Sequence, residues 1–239
     1  MAQADSEPRG GPEPSPPLWC DRHQAGVALA QRLEAWRDHP AAVVIGLPRG
    51  GVAVAAAVAE ALALPLASWA VRKLAHPQAP EVAVGAIAPG GVLLWDEPYL
   101  RQLHLDPQLR RQLVAVQDRE LHRRQRLYGD PAAADLRGNT LLVVDDGIAT
   151  GLTVRAALES LRQTRPKGLL LAVPVLDRRQ LERLTPLVDQ LVTIAAVPEL
   201  RAVGDWYASF EPVGDETVLT LLKAGRPLKP PGADRKPGS

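Results

Sequence analysis

The order of apolar runs predicts an α/β fold: a twisted parallel sheet flanked by helices. Short β-rich runs at Ala41 to Leu47, Leu66 to Val71, Leu141 to Val144, Gly168 to Val173 and Leu187 to Ile194 alternate with stretches of helical periodicity. These runs are mostly apolar instead of alternating, as strands covered on both faces by helices are. Two of them end directly in a glycine turn, Pro48-Arg49-Gly50-Gly51 and Asp145 to Gly151. The carboxyl edge of an open α/β sheet is where ligands bind.

Composition excludes several classes. With 239 residues, 46% of them hydrophobic, the chain can bury one sizeable core. A formal net charge of +1 argues for no particular partner. One cysteine, Cys20, rules out a disulfide framework, and no Cys/His cluster suggests zinc. No run of 18 apolar residues occurs, and the N-terminus has no charged-then-apolar signal pattern, so a cytoplasmic location and no membrane are expected.

Residues 1–17 contain five prolines and almost nothing apolar, which predicts a disordered leader. Asp21 is placed to cap a helix running to about Asp38, with Ala25, Leu29, Leu33 and Trp36 on one face. His23 has no partner within helical reach and reads as a surface residue. After the strand at Ala41 to Leu47 and its PRGG turn, Val54, Val58 and Leu62 mark the next helix. The glycines free backbone amides for an anion, and Arg49 adds a cation with five donors. The plain alternative is an ordinary strand-to-helix turn.

The run from Leu66 to Val71 ends in Arg72-Lys73, two cations leaving a strand on the ligand side. They suit a diphosphate, or are simply a solvated strand end. Residues 76–81 form a proline-containing loop, and Glu81 is a lone loop carboxylate. Val82 to Ile87 then alternates, and Gly90-Gly91 reads as a hairpin turn into Val92 to Trp95. Asp96 to Tyr128 predicts one or two helices. Seven arginines between 101 and 126 face only Asp106, Asp118 and Glu120. A basic helix of this kind can bind nucleic acid. Without interleaved aromatics, a solvated or dimer-facing surface laced by pairs such as Glu120 with Arg124 fits better. A helix from Asp177 to Leu184 lies between the last two strands. Trp206, Tyr207 and Phe210 concentrate aromatics in a chain only 4% aromatic. Trp206 and Tyr207 could stack a planar acceptor, or anchor the C-terminal segment. Val218, Leu221 and Leu222 mark a final helix, and residues 226–239 a proline-rich basic tail expected to be disordered. The folded domain is expected to span 18–225.

The richest stretch is Thr140 to Leu158, TLLVVDDGIATGLTVRAAL. A buried strand at Leu141 to Val144 leads into two carboxylates, two glycines and a hydroxyl. Val154, Ala157, Leu158 and Leu161 then share one helix face. Gly147 and Gly151 permit a tight turn with unshielded amides, and a helix N-terminus lies behind them, which makes an anion site. The hydroxyls of Thr150 and Thr153 can donate to the same oxygens. Asp145 and Asp146 would repel a phosphate set on top of them, but suit a diol beside it. A phosphate and a diol one sugar apart describe a ribose 5-phosphate. The plain alternative is a glycine turn with both aspartates solvated.

VVDDGIATGLT resembles the phosphoribosyl diphosphate (PRPP) motif of the type I phosphoribosyltransferases: apolar strand, two acidic residues, then a T-G-x-[ST] phosphate loop. Leu152 is bulkier than the small residue often found there, though only its backbone amide would face a phosphate. GLPRGG is similar to the family's pyrophosphate loop, which often holds a cis peptide. Arg72-Lys73 resembles the basic pair after the second core strand of orotate-type members. The series GLPRGG, VRKL, PEVAVGA, VVDDGIATG and AVGDWY resembles a bacterial subgroup of phosphoribosyltransferases whose acceptor is not assigned.

The resemblance implies a flap hairpin between the second and third core strands and a small hood built from terminal segments. It also implies transfer of the 5-phosphoribosyl group of PRPP to a nucleophile, expected to be a nitrogen base, with release of pyrophosphate. Asp145, Asp146 and Lys73 would be catalytic. Gly147, Ile148, Ala149, Thr150, Gly151, Leu152 and Thr153 would bind the 5-phosphate, and Arg49, Gly50, Gly51, Arg72 and Lys73 the pyrophosphate. Trp206 and Tyr207 would meet the acceptor. Mg2+ would be carried mainly by PRPP, with no direct protein ligand. The expected partners are PRPP and a small-molecule acceptor, with room for a homodimer and no nucleic acid. The rival is a regulator that binds PRPP or a nucleotide on the same fold.

Overall fold

A computed structural model describes residues 15–76, 79–103 and 106–228, with the backbone alone given for 79–82 and 102. The expected leader up to residue 14, the expected tail beyond 228 and the side chain of Glu81 lie outside the described residues.

Helix α1 (Arg22–Arg32) opens on Asp21, whose carboxylate accepts from the Gln24 amide at 2.8 Å. It ends earlier than its apolar stripe suggests. Leu33 leaves the helical region, and the chain tightens into a 3-10 turn at Glu34–Trp36. Strand β1 (Ala42–Gly46) and helix α2 (Gly50–Leu62) follow, then β2 (Leu66–Ser68). A second set of strands comes next, β3 (Arg72–His76), β4 (Ala79–Ala88) and β5 (Val92–Trp95). After helices α3 (Glu97–Leu103), α4 (Pro107–Tyr128) and α5 (Ala133–Leu136) the chain returns to the core with β6 (Thr140–Val144). Helix α6 (Leu152–Gln163), β7 (Gly168–Asp177), α7 (Arg179–Leu184), β8 (Gln190–Val197) and α8 (Asp215–Ala224) complete it.

The main sheet is parallel throughout, in the order β2-β1-β6-β7-β8. Its two faces are read directly from β1. Val43 and Ile45 pack with α6 residues Val154, Ala157, Leu158 and Leu161. Ala42 and Val44 pack on the other face with α1 and α2, among Leu29, Leu33, Val54 and Val58. Every residue of β1 and β6 is buried, as apolar strands between two helical layers should be. Fully burying each such Val, Leu or Ile contributes roughly 1.5–3 kcal/mol.

The expected strand at Leu66 to Val71 is shorter in the structure. After Ser68 the backbone leaves the sheet, because Asp130 takes its donors. The Asp130 carboxylate accepts from the Ser68 hydroxyl and the Ala70 amide, both at 2.6 Å. Arg72 and Lys73 therefore begin a strand instead of ending one. The expected two-stranded hairpin, turning at Gly90-Gly91, gains β3 and becomes a three-stranded antiparallel sheet, β3-β4-β5. Leu74, Val84 and Ile87 of this sheet bury against Leu100 and Leu121 of α3 and α4, while Ala86 and Ala88 face the main core. At the C-terminal end, the first residues of the expected tail dock on the edge strand. The Leu66 amide donates to the Arg226 carbonyl at 3.0 Å, and Leu228 packs on the core.

Candidate functional site

Chain order and strand order diverge at one place. From β1 the chain crosses to β2 on one side, whereas β6 pairs with β1 on the other, in register from Ala42 opposite Thr140 to Gly46 opposite Val144. The carboxyl ends of β1 and β6 thus flank the switch point of the sheet, where a crevice opens between loops that leave in different directions. These are the ends that carry PRGG and DDGIATG.

The two loops touch. A Cβ on Gly50 would overlap an Asp146 carboxylate oxygen, and one on Gly51 would stand 2.7 Å from Asp145 Oδ1 and 2.9 Å from the Val144 carbonyl. Only glycine lets these backbones come so close. The peptide between Pro48 and Arg49 is cis.

Asp145 and Asp146 are pressed between these loops, and burial pushes the carboxyls of both upward. Asp145 is raised further by the charge of Asp146, which Asp146 partly offsets by donating its amide to Asp145 Oδ1 at 2.9 Å. Asp146 is steadied by Arg22, whose Nε donates to Oδ2 at 2.8 Å. Arg22 is held in turn from α1: its guanidinium lies 3.7 Å from the Phe210 ring centroid and donates to the Glu211 carbonyl. The pair is therefore held in place between the two loops by Arg22 and the Asp146 amide.

The stretch from Gly147 to Thr153 is pinned at one point and open at the other. The Ile148 amide donates to the Val175 carbonyl at 3.0 Å, the Asp177 amide donates to the Ile148 carbonyl at 2.9 Å, and the Ile148 side chain is buried. Ile148 thus anchors the loop to β7. Beyond it, Ala149 and Thr150 lead to Gly151, at φ +73, which starts α6. The amides of Leu152 and Thr153 lie in the first turn of that helix, where no intrahelical carbonyl reaches them. With the positive end of the helix dipole, these amides face outward from the start of α6, the kind of position that favours an anion.

The family model of the phosphoribosyl transferase domain matches residues 21–196, which include both loops. The chain belongs to this family. It is 40% identical over 222 residues to "Putative phosphoribosyl transferase Rv0571c" of Mycobacterium tuberculosis (strain ATCC 25618 / H37Rv), a match covering 90% of this chain and 49% of that protein. "Putative phosphoribosyl transferase MT0597" of Mycobacterium tuberculosis (strain CDC 1551 / Oshkosh) matches to the same extent. The chain thus spans about half the length of these relatives. Among solved structures, that of TT1426 from Thermus thermophilus is 37% identical with a TM-score of 0.64, covering 85% of this chain and 97% of that one.

In this phosphoribosyl transferase domain the basic residues are spread over two elements, the PRGG turn and β3. Arg49, half-exposed, lies 3.7 Å from Asp215 at the start of α8. Arg72 and Lys73, neighbours on β3, take opposite faces of the strand. Arg72 turns to α4, where its Nε donates to Gln117 at 2.9 Å. Lys73 stands opposite Ala86, on the face toward the main core. Trp206 and Tyr207 are 6% and 5% exposed and pack with Trp19, Val175 and Val197. The Tyr207 hydroxyl donates to the Asp146 carbonyl at 2.5 Å, and burial raises its pKa. These two rings thus brace the segment behind the aspartates, and Tyr207 stacks at 5.0 Å on Phe210.

Several residues of the phosphoribosyl transferase domain escaped the sequence reading. Arg22 lies 124 positions from Asp146, and nothing local distinguishes it from other helix arginines. Asp215 reads as an ordinary acidic residue in a first helical turn, yet it accepts from Tyr128 at 2.6 Å and from Arg123 at 2.8 Å besides facing Arg49. Within this network the expected Glu120–Arg124 pair forms at 2.8 Å, and Glu120 also pairs with Arg123 at 2.7 Å, three positions on. Among the described residues no helix is long and apolar enough to cross a membrane.

Proposed function

We propose that this domain transfers the 5-phosphoribosyl group of PRPP to a nucleophile, a nitrogen base by the chemistry of the reaction, and releases pyrophosphate. The observation that carries the reading is the abutment of the two loops. Buried carboxylates beside an amide-rich helix start stand directly against a second glycine loop with its own arginine. One loop suits the ribose 5-phosphate and the other the diphosphate at C1.

In the reaction the bond from C1 to the pyrophosphate oxygen breaks, and its electron pair leaves with pyrophosphate. The acceptor lone pair forms the new bond to C1, and the acceptor gives up its proton. The transition state is oxocarbenium-like, so the protein's work is placement of charge and of reactants. Asp145 and Asp146 accept from the ribose hydroxyls and set negative charge near the developing cation. The amides of Leu152 and Thr153, with the hydroxyls of Thr150 and Thr153, bind the 5-phosphate. Arg49, Gly50, Gly51, Arg72 and Lys73 meet the negative charge that grows on pyrophosphate. No group of three or more metal-binding side chains gathers among the described residues. Mg2+ takes six oxygens and keeps several waters, and here it would arrive on the PRPP oxygens. When bound, it would supply charge neutralisation of the diphosphate.

Titration calorimetry with PRPP and Mg2+ should give binding of roughly −5 to −8 kcal/mol. Asp145→Asn with Asp146→Asn should weaken it at least about tenfold, about 1.4 kcal/mol; unchanged affinity in the folded double variant refutes the ribose assignment. Turnover is read as pyrophosphate release across a panel of bases. Lys73→Ala should lower kcat about tenfold or more and PRPP affinity less, as a group acting mainly in the transition state does. Binding of PRPP with no release on any acceptor would favour a regulator.

A further inference from the structure

The long helix α4 follows the antiparallel sheet, and the PRPP reading gives it no part in the site. Yet it carries a buried guanidinium. Arg124 is 9% exposed, well beyond what a solvated helix face requires of arginine. Its position follows from its neighbours. Gln117, two turns earlier on the same face, accepts from Arg72 at 2.9 Å. Tyr128, one turn later, donates to Asp215, which faces Arg49 at 3.7 Å. Arg124 thus stands between the contact that leads to Arg72 and the contact that leads to Arg49.

Charge in this corner is unbalanced. Glu120 accepts from Arg124 at 2.8 Å but is shared with Arg123, and Asp215 is shared among Arg49, Arg123 and Tyr128. Two carboxylates therefore serve four arginines, counting Arg72, which has no carboxylate partner among the described residues. Burial lowers the pKa of Arg72, with Arg124 and Arg49 adding like-charge repulsion that Glu120 offsets in part. Arg124 is buried and Arg72 half-buried beside the exposed Arg49 and Arg123, and a cluster of guanidiniums with too few carboxylates suits an anion of matching charge, whose phosphate oxygens the planar forks of arginine fit in pairs.

We propose that Arg124 is a third guanidinium of the pyrophosphate subsite, joining Arg49 and Arg72 around the diphosphate of PRPP and the pyrophosphate released from it. The inference rests on the PRPP reading of the two loops. It adds that the subsite is closed by α4, through Gln117 and Glu120, which aim Arg72 and Arg124. Diphosphate binding should therefore be felt by an element outside the two βα loops.

The test uses the full chain and two probes by calorimetry: inorganic pyrophosphate with Mg2+, and ribose 5-phosphate. Arg124→Gln should weaken pyrophosphate about tenfold or more and leave ribose 5-phosphate within about twofold. Arg126→Gln, which removes the same charge from an exposed position on the same helix, should change neither. Should the glutamine variant fail to fold, Arg124→Lys keeps the charge but not the fork and should still weaken pyrophosphate threefold or more. Pyrophosphate affinity equal to the wild type in the folded Arg124 variant overturns the proposal, as does an equal loss in Arg126→Gln or no pyrophosphate binding in the wild type. Loss of ribose 5-phosphate binding by the wild type would instead strike the ribose-loop reading.

Discussion

Gly51→Ala tests the close approach of the two loops. Its new Cβ would stand 2.7 Å from Asp145 Oδ1, 2.9 Å from Asp145 Cα and 2.9 Å from the Val144 carbonyl oxygen. Two of these three atoms are backbone of β6 and its turn, so no side-chain rotation relieves the clash, and the loops must separate. Overpacking of this kind costs about 1–3 kcal/mol. Alanine in the first turn of α2 returns up to about 1 kcal/mol of helix propensity over glycine. The net is a loss of about 1–2 kcal/mol, or roughly 3–6 °C in Tm for a chain of this size. The functional loss should be larger, because Asp145 is itself displaced: PRPP affinity should fall about tenfold or more. Gly50→Ala is the informative contrast. Its Cβ meets the Asp146 carboxylate, and Arg22 Nε at 3.1 Å, both of them side-chain groups that can swing away. It should melt nearer the wild type while still weakening PRPP. Gly214→Ala, with nothing within 4 Å of the added atom, is the control. Thermal unfolding and calorimetric titration read both quantities. A Gly51→Ala protein that melts and binds as the wild type does would refute the claim that only glycine lets the two loops come so close.

Three further outcomes are expected. Arg22→Gln removes a nearly buried partner from Asp146 and a cation from the Phe210 face, and should destabilise by about 1.5–3 kcal/mol, read as a lower urea midpoint at constant m. Burial raises the Asp130 carboxyl to about 6 from an ordinary 3.8, so the folded state favours its protonated form. That contribution is full below pH 3.8 and lost as pH rises through about 6, a swing of about 3 kcal/mol; Asp130→Asn should abolish it, so that the stability gap between variant and wild type narrows toward neutral pH in urea titrations at about pH 4 and 7. A chain trimmed to 15–228 should melt within about two degrees of the full chain, since the proline-rich, polar composition of the removed ends cannot support a packed core, whereas also removing 226–228, with the Arg226 bond to Leu66 and the Leu228 contact, should lower the Tm measurably.

The central strands and the two loops were legible because their signals are local. Leu141 to Val144 is apolar on both faces, Gly147 and Gly151 punctuate the turn, and Val154 to Leu161 repeats at helical spacing. Each of these needs only a few neighbouring residues to be read. The departures arose where a distant group decides. Leu66 to Val71 has strand composition throughout, but Asp130, 60 positions away, captures the Ala70 amide and turns the chain out of the sheet. Arg72 and Lys73 looked like one basic pair, and strand alternation places them on opposite faces. Arg22 and Asp215 carry no local mark, because their roles are set by which loops the sheet order brings near them. Trp206 and Tyr207 stood out by rarity alone, which cannot distinguish a ring that stacks a ligand from one that braces a loop.

The in-register pairing of β1 with β6 acts as a ruler. Neighbouring strands lie about 4.8 Å apart wherever backbone hydrogen bonds join them. The last paired residues, Gly46 and Val144, fix the points from which the PRGG and DDGIATG loops depart. If the proposed function holds, the interval between what grips one end of PRPP and what grips the other is therefore written in main-chain geometry, which side-chain substitution leaves untouched. Loop residues can drift and change what is gripped, or how tightly, while the spacing of the two grips stays the same.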